Sequence, residues 1–395
     1  MNKPVSVDSS SKDFKEWLAA IRRDIHKHPE TAFKEKRTSD LVAKLLTEWG
    51  LKVHRGFAKT GVVATLQGTG GEGRSIGLRA DLDALFIEEK NTFSHKSCHQ
   101  GVMHACGHDG HTAMLLGAIR VLVGNPNFAG KVHFIFQPAE ESEGGGRVMI
   151  EEGLFEKFPC DAVYALHNAP GLPAGFFAIR PGPMMAAGDT WEVSFTGTGG
   201  HGAMPHNGTD PTMAAGSFVN SISSIVARNI SSSDSAVLSI GYIQGGDYNS
   251  PNIIPANVVV RGTARSFTPE NRDMLERRLG TLSTQIAAAH DCKAELTFTR
   301  RYPPLVNHKK ETAIAAQAAV KVAGSENVED EFDPIGGSED FAFMLEATPG
   351  AYMLIGNGEG AFVHTDTYDF NDDILTIGTR FWVSLVETEL NGKVL

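Results

Sequence analysis

The sequence predicts an α/β protein: a mainly parallel central sheet flanked by helices, interrupted by a second, α+β unit. Three observations lead there. Helix-like and strand-like segments alternate up to about residue 183. From about 184 to 301 the order becomes strand, helix, strand, strand, helix, strand. From about 302 the first alternation resumes. A chain of 395 residues exceeds one ordinary core, so two domains are expected. One is discontinuous, over 1–183 and 302–395; the other is inserted, over 184–301.

Taken in order, Phe14, Trp17, Leu18, Ile21 and Ile25 recur at helical spacing, which predicts a helix over 12–28 ended by Pro29. Leu41, Leu45 and Trp49 share one face of a helix over 38–49, with Gly50 as its stop. The apolar runs Val62–Leu66 and Ser75–Leu82 read as strands. Gly110–Leu122 reads as a helix, Val132–Phe136 as a strand, Gly145–Glu152 as a helix and Asp161–Leu166 as a strand. Ile179-Arg180-Pro181-Gly182-Pro183 reads as a hinge. Strands over 190–197, 236–244, 256–266 and 293–300, with helices over 210–229 and 269–289, make a split βαββαβ unit of ferredoxin-like order. Arg301-Tyr302-Pro303-Pro304 is the second hinge. Helices over 311–322 and 339–347, a strand over 350–355 and a helix over 373–390 complete the first domain.

Composition excludes several classes. A net charge of −11 argues against a nucleic-acid backbone as partner. No apolar run approaches the ~20 residues of a membrane span. The start, Met1 to Asp13, is polar and lacks a signal-peptide core. Cysteines 98, 106, 160 and 292 form no CxxC pair, so a reducing cytoplasm is the expected setting.

The densest chemistry lies in Met103-His104-Ala105-Cys106-Gly107-His108-Asp109-Gly110-His111. So many polar side chains are costly to bury unless something binds them. In an extended segment Cys106 and His108 point the same way, with His104 as a third candidate. Thiolate and imidazole suit zinc, manganese, cobalt or nickel better than calcium. Glu140-Glu141 follows the strand Val132–Phe136; one carboxylate of such a pair can bind metal while its neighbour serves as general base. His167 follows an apolar strand and, taken alone, reads as a buried structural histidine more readily than as a ligand. Sites in open α/β sheets form at the strands' carboxyl ends, where these residues fall. In the inserted unit His201 is flanked by glycines, and Asn252 and Arg265 bracket a strand; an arginine fork matches a carboxylate. Ser338 reads as a helix cap and His364 as a loop histidine.

The joint order of Arg79-Ala80-Asp81-Leu82-Asp83-Ala84, the 103–111 cluster, Phe136-Gln137-Pro138-Ala139-Glu140-Glu141, Gly200-His201-Gly202-Ala203, Ser338-Glu339-Asp340-Phe341 and His364 resembles the amidohydrolase branch of the aminoacylase/carboxypeptidase metallopeptidase superfamily. That branch includes hippurate hydrolases, N-acyl-amino-acid amidohydrolases, auxin-conjugate hydrolases and N-acetyldiaminopimelate deacetylases. The resemblance runs from about Ile21 to about Leu385. It implies two divalent metal ions held by Cys106, His108, Glu141, His167 and His364, with Glu140 as general base. It implies that Asp81 and Asp109 orient ligands from behind, that His201 holds the substrate oxygen, and that Asn252 and Arg265 bind its carboxylate. It further implies hydrolysis of N-acyl amino acids of hippurate type by a homodimer or higher homo-oligomer, with the inserted unit as a lid. Alternatives on the same scaffold are an N-acetyldiaminopimelate deacetylase, an aminobenzoyl-glutamate hydrolase or a dipeptidase; from another class, a non-catalytic conjugate-binding protein. The branch usually carries proline where this chain has Phe86, which removes no ligand.

Overall fold

The computed structural model of the protein describes residues 8–391; Met1–Val7, the first part of the polar start, lie outside them. In chain order the elements begin with α1 (Lys12–Lys27), α2 (Lys36–Glu48), β1 (Lys52–Phe57), β2 (Gly61–Gln67), β3 (Ser75–Asp81) and α3 (His108–Gly124). Next come β4 (Lys131–Gln137), α4 (Gly145–Glu151), α5 (Leu154–Lys157), β5 (Ala162–Pro170), β6 (Phe177–Ala178) and β7 (Gly182–Met185). Then follow β8 (Ala187–Thr196), β9 (Gly200–His201), α6 (Pro211–Ser221), α7 (Ser223–Asn229), β10 (Ala236–Gly245) and β11 (Ile253–Ile254). The chain continues through β12 (Asn257–Ser266), α8 (Pro269–Ala289), β13 (Lys293–Tyr302), β14 (Leu305–Asn307) and α9 (Lys309–Ala323). It ends on β15 (Val328–Glu329), α10 (Phe341–Ala347), β16 (Gly350–Gly358) and α11 (Leu375–Asn391).

These elements divide into two units. The first runs up to Gly182 and resumes over Val306–Asp333 and from Asp340 onward; the second is Pro183–Leu305 with Pro334–Glu339. The first is built on one sheet of order β1-β2-β4-β3-β5-β16-β6-β15. Its centre, β4-β3-β5-β16, is parallel, while β1 and β2 add an antiparallel edge. Parallel strands are covered on both faces, so they read as unbroken apolar runs, and Phe134, Ile135 and Phe136 of β4 are fully buried. Helix α1 starts where the Ser11 hydroxyl accepts the Phe14 N–H at 3.3 Å, and it buries Phe14, Leu18, Ile21 and Ile25. The same face also buries Arg22 and His26.

The second unit is a four-stranded antiparallel sheet of order β10-β12-β8-β13, with α6 and α8 packed against it. Its core gathers Trp191, Val193, Phe195, Phe218, Val258, Val260, Leu275 and Leu279. Arg272 forks onto the buried Asp189 carboxylate at 2.9 and 2.6 Å. Edge strand β10 leaves Val237, Tyr242 and Ile243 exposed.

Several expectations change in detail. Strand β1 carries mixed polar residues at a sheet edge, so neither period marked it in the sequence. The helix expected over 210–229 is two segments that divide at Ile222. Strand β5 extends beyond Leu166 to Pro170 and takes His167 into the sheet, paired with Leu354. Ser338 is not the cap: α10 begins at Phe341 behind Asp340, whose own side chain makes no capping bond. Among the described residues, no helix is long and apolar enough to cross a membrane.

Candidate metal centre

The carboxyl ends of β3, β4 and β5 share one edge of the sheet, at Asp81, Gln137 and His167-Asn168. Helix α3 starts at His108 against this edge. Gly107 permits the approach: its φ is +93°, and a Cβ there would lie 2.1 Å from Asn168 Oδ1. Cys106 and His108 therefore converge through a left-handed turn, not through the extended geometry expected from the sequence.

Two sets of donors form here. Cys106, His108 and Glu141 offer donor atoms within 4.8 Å of one another, as do Asp81, His108, His111 and His167. Cys106 Sγ lies 3.4 Å from His167 Nε2. Glu141 Oε1 lies 3.8 Å from His108 Nε2 and 3.2 Å from His364 Nε2. Five residues from distant segments thus come together. His108 Nε2 and Glu141 Oε1 are buried and find no hydrogen-bond partner among the described residues. A cation between them removes that desolvation cost, and the sulfur, imidazole and carboxylate donors suit a transition metal.

The rings are set for coordination. His167 Nδ1–H donates to the Asn168 carbonyl at 2.7 Å, and His108 Nδ1–H donates to the Asp83 carbonyl at 2.9 Å. Both assignments leave the Nε2 lone pair facing the cluster. Two non-glycine residues beside the site hold positive φ, Ala139 at 58° and His364 at 64°. Such strain persists only where surroundings over-determine it.

Residues that sequence reasoning left unassigned support the ligands. The Asp83 carboxylate accepts the N–H groups of Glu140 and Glu141, each at 3.1 Å. Asp81 accepts from His111 Nδ1–H at 2.7 Å; His111 Nε2 accepts the Asn168 N–H at 3.0 Å, and Asn168 Nδ2 donates to the Tyr368 hydroxyl oxygen at 2.7 Å. Arg79 donates to Asp81 at 2.7 Å, Gln137 at 2.8 Å and Asp340 at 3.0 Å. Glu140 is buried, and its Oε1 accepts the Asp340 N–H at 3.4 Å.

The electrostatics fit a cation. Burial, then the Glu141 and Glu140 carboxylates, push the Cys106 thiol well above its usual range. Burial opposes charge on His108, yet Asp81 and Asp83 raise its pKa to about 10. Burial and neighbouring His111 hold His167 well below 6.5. A divalent ion would reverse the balance at Cys106, because a coordinated thiol ionises.

Among the described residues, Asp109 hydrogen-bonds none of the candidate ligands it was expected to orient. Its carboxylate turns to α1, accepting from His26 Nδ1–H at 2.9 Å and lying 3.5 Å from Arg22 Nη1. Arg22 also donates to Asp369 at 3.0 Å and Asp372 at 2.7 Å, while His26 Nε2 faces Glu89 at 3.3 Å. This network ties α1 to the starts of α3 and α11. Burial disfavours charge on His26, but Asp109 and Glu89 outweigh it and raise the pKa from 6.5 to about 9. A raised pKa contributes stability in full below about 6.5, and that stability is lost as pH rises through about 9. Denaturant titrations across that window should show the protein losing up to about 3 kcal/mol, and His26→Gln should flatten the loss. Parallel curves would show that His26 is uncharged in the fold.

In the second unit, β9 pairs with β11 so that His201 faces Ile253, and the Gly202 N–H donates to the Asn252 carbonyl at 2.8 Å. His201 Nδ1 accepts the Ala203 N–H at 3.1 Å, which leaves Nε2–H as an exposed donor. Arg265 does not join them. It pairs with Val237 and Gly188 at the far end of β12, roughly 26 Å of strand from Asn257. Its Nη1 donates to the Ala264 carbonyl at 2.9 Å. Phe86 is 75% exposed in the first unit.

The chain is similar to known proteins over most of its length. Residues 77–388 match the model of peptidase family M20/M25/M40. A hippurate hydrolase of Campylobacter jejuni is 38% identical over 365 residues, 92% of this chain and 94% of its own length. An N-acetyl-L-cysteine deacetylase of Bacillus subtilis is 40% identical over 354 residues, 89% of this chain and 82% of its own. The crystal structure of a Bacillus subtilis dinuclear metal-binding peptidase of the M20 family superposes with a TM-score of 0.86 at 31% identity, covering 97% of this chain and all of that one.

Proposed function

The chain belongs to peptidase family M20/M25/M40, and from that premise we propose that it is a metal-dependent amidohydrolase of N-acylated amino acids. It splits the amide of a hippurate-like N-acyl-L-amino acid into a carboxylate and the free amino acid. The observation that carries this reading is the meeting of Cys106, His108, Glu141, His167 and His364 around unpartnered buried donor atoms, with the Glu140 carboxylate next in the chain. The similar hippurate hydrolase and N-acetyl-L-cysteine deacetylase act, by their names, on amides of this kind.

Those five residues would hold two divalent ions, drawn from zinc, manganese, cobalt and nickel. When bound, the ions lower the pKa of water and polarise the scissile carbonyl. Glu140 takes the proton of the attacking water at its carboxylate and returns one to the leaving amine nitrogen. Asp83 fixes both glutamates through their N–H groups, and Asp81 steadies His111 beside the ligands. His201 donates its Nε2–H to the substrate oxygen as negative charge develops there. Asn252 and Arg265 bind the α-carboxylate.

His201 and Asn252 stand at one end of β12 and Arg265 at the other, too far apart for one small substrate to meet both from a single chain. A homodimer supplies the two from different copies, and the exposed edge of β10 suits its formation. The second unit acts as a lid that excludes water. A cytoplasmic setting accords with the cysteine pattern.

One assay tests the reading: release of free amino acid from hippurate and a panel of N-acetyl and longer N-acyl amino acids, with each metal and with chelator. Absence of any chelator-sensitive hydrolysis overturns it. Preference for dipeptides or N-acetyldiaminopimelate would move it to the alternatives on the same scaffold. Arg265→Ala should raise KM for carboxylate-bearing substrates roughly 10–100-fold while sparing their neutral amide analogues. Equal weakening of both classes would remove Arg265 from the carboxylate clamp.

A further inference from the structure

Glu35 sits fully buried at the entrance of α2, yet its side chain makes no hydrogen bond to that helix's first turn. Its carboxylate points elsewhere. Oε1 accepts the Phe33 N–H and the Ala139 N–H, each at 3.0 Å, and Oε2 accepts the Thr60 hydroxyl at 2.7 Å. Phe33 and Ala139 both lie in the left-handed region, at φ 60° and 58°. For residues with a Cβ that conformation costs energy and needs outside support.

Ala139 directly precedes Glu140 and Glu141. The N–H groups of residues 139, 140 and 141 all end on buried carboxylates, the first on Glu35 and the next two on Asp83. Successive N–H groups aimed at fixed anions define a turn more tightly than any side-chain packing around an alanine. Asp83 also faces His108 Nδ1, at 3.3 Å. Among the described residues the Glu35 carboxylate bonds Phe33, Thr60 and Ala139, and it is the Ala139 N–H that links it to the site.

We propose that Glu35 is a positioning residue for the hydrolysis: by accepting the Ala139 N–H it holds the left-handed turn that aims Glu140 and Glu141 apart. The inference rests on the roles given above to Glu140 as base and Glu141 as ligand. Its chemistry needs an acceptor at this place and not a negative charge. A glutamine serves as well, because its carbonyl oxygen can receive the two N–H groups while its amide donates to Thr60 Oγ1.

The test compares Glu35→Ala, Glu35→Gln and Glu35→Ala with Ala139→Gly, all as metal-saturated enzyme, by kcat, KM, metal content and thermal midpoint. Glu35→Ala should lower kcat roughly 10–100-fold with little change in KM, since small misplacements of a reacting group have effects of that size. Glu35→Gln should keep at least about half of kcat if one acceptor replaces another. Glycine takes positive φ without the Cβ penalty, so Ala139→Gly should recover several-fold of the kcat lost in Glu35→Ala. If Glu35→Ala does not fold, Glu35→Asp, which keeps the charge but withdraws the oxygens by one methylene, carries the same comparison. Unchanged kcat in the alanine or aspartate variant overturns the proposal. So does a loss that neither glutamine nor Ala139→Gly relieves, because a general packing defect behaves that way. Glu140→Gln measured alongside separates the two readings: full turnover in it means that the base assignment has failed, whatever Glu35 does.

Discussion

Glu140→Gln should retain both metal ions and lose turnover by roughly 10²–10⁴-fold, the usual worth of a positioned proton-transfer group. The substitution keeps the side chain's shape. The backbone N–H that Asp83 receives at 3.1 Å is untouched, and the amide oxygen can still accept the Asp340 N–H. None of the five candidate ligands changes, so elemental analysis should find normal metal content. What disappears is the capacity to take a proton from water and pass it to the departing amine. The deficit should fall on kcat, with KM near that of the parent, because the interaction acts in the transition state. Undiminished turnover in a metal-replete variant would sink the assignment.

Cys106→Ala should bind metal at least about 100-fold more weakly and show only background hydrolysis, since even groups that merely support a ligand cost 10–100-fold when removed. The sulfur lies 3.4 Å from His167 Nε2, among groups that oppose its ionisation until a cation arrives. Removing it leaves His167 facing a gap with one donor fewer. His167→Ala should have the same consequence from the opposite side. The measurement is metal per chain after dialysis, read beside activity. Full occupancy in either variant would show that the thiol or the imidazole does not bind the ion.

Much of this architecture was legible because burial writes itself into composition. The sheet's central strands appear as uninterrupted apolar runs, and α1 as a helical stripe, because each must fill a core. The residues that hold the site together are less visible. Asp83 stands two places after Asp81 in the sequence, but its partners are N–H groups 57 and 58 positions away, and no local pattern encodes such a contact. Glu35, Asn168 and Tyr368 escaped notice for the same reason. Asp109, which the resemblance set behind the ligands, follows His108 directly, yet both lie on a helix, where successive side chains diverge by about 100°. One faces the metal donors and the other faces α1. Arg265 and Asn252 bracket a strand in sequence, and the length of that strand is what separates them.

The sheet of the first unit also constrains how the chain reaches its final state during synthesis. Strand β16 pairs with β5 near the middle of the sheet, although the whole of Pro183–Leu305 is made between them. Arg22 likewise finds Asp369 and Asp372 only 347 and 350 positions later. The inserted segment, whose core is internal to it, can condense as soon as it leaves the ribosome. The flanking unit must wait with the edge of β5 unpaired until nearly the last residues emerge. Chains cut short before Gly350 should therefore yield aggregates with a folded insert, not a smaller hydrolase.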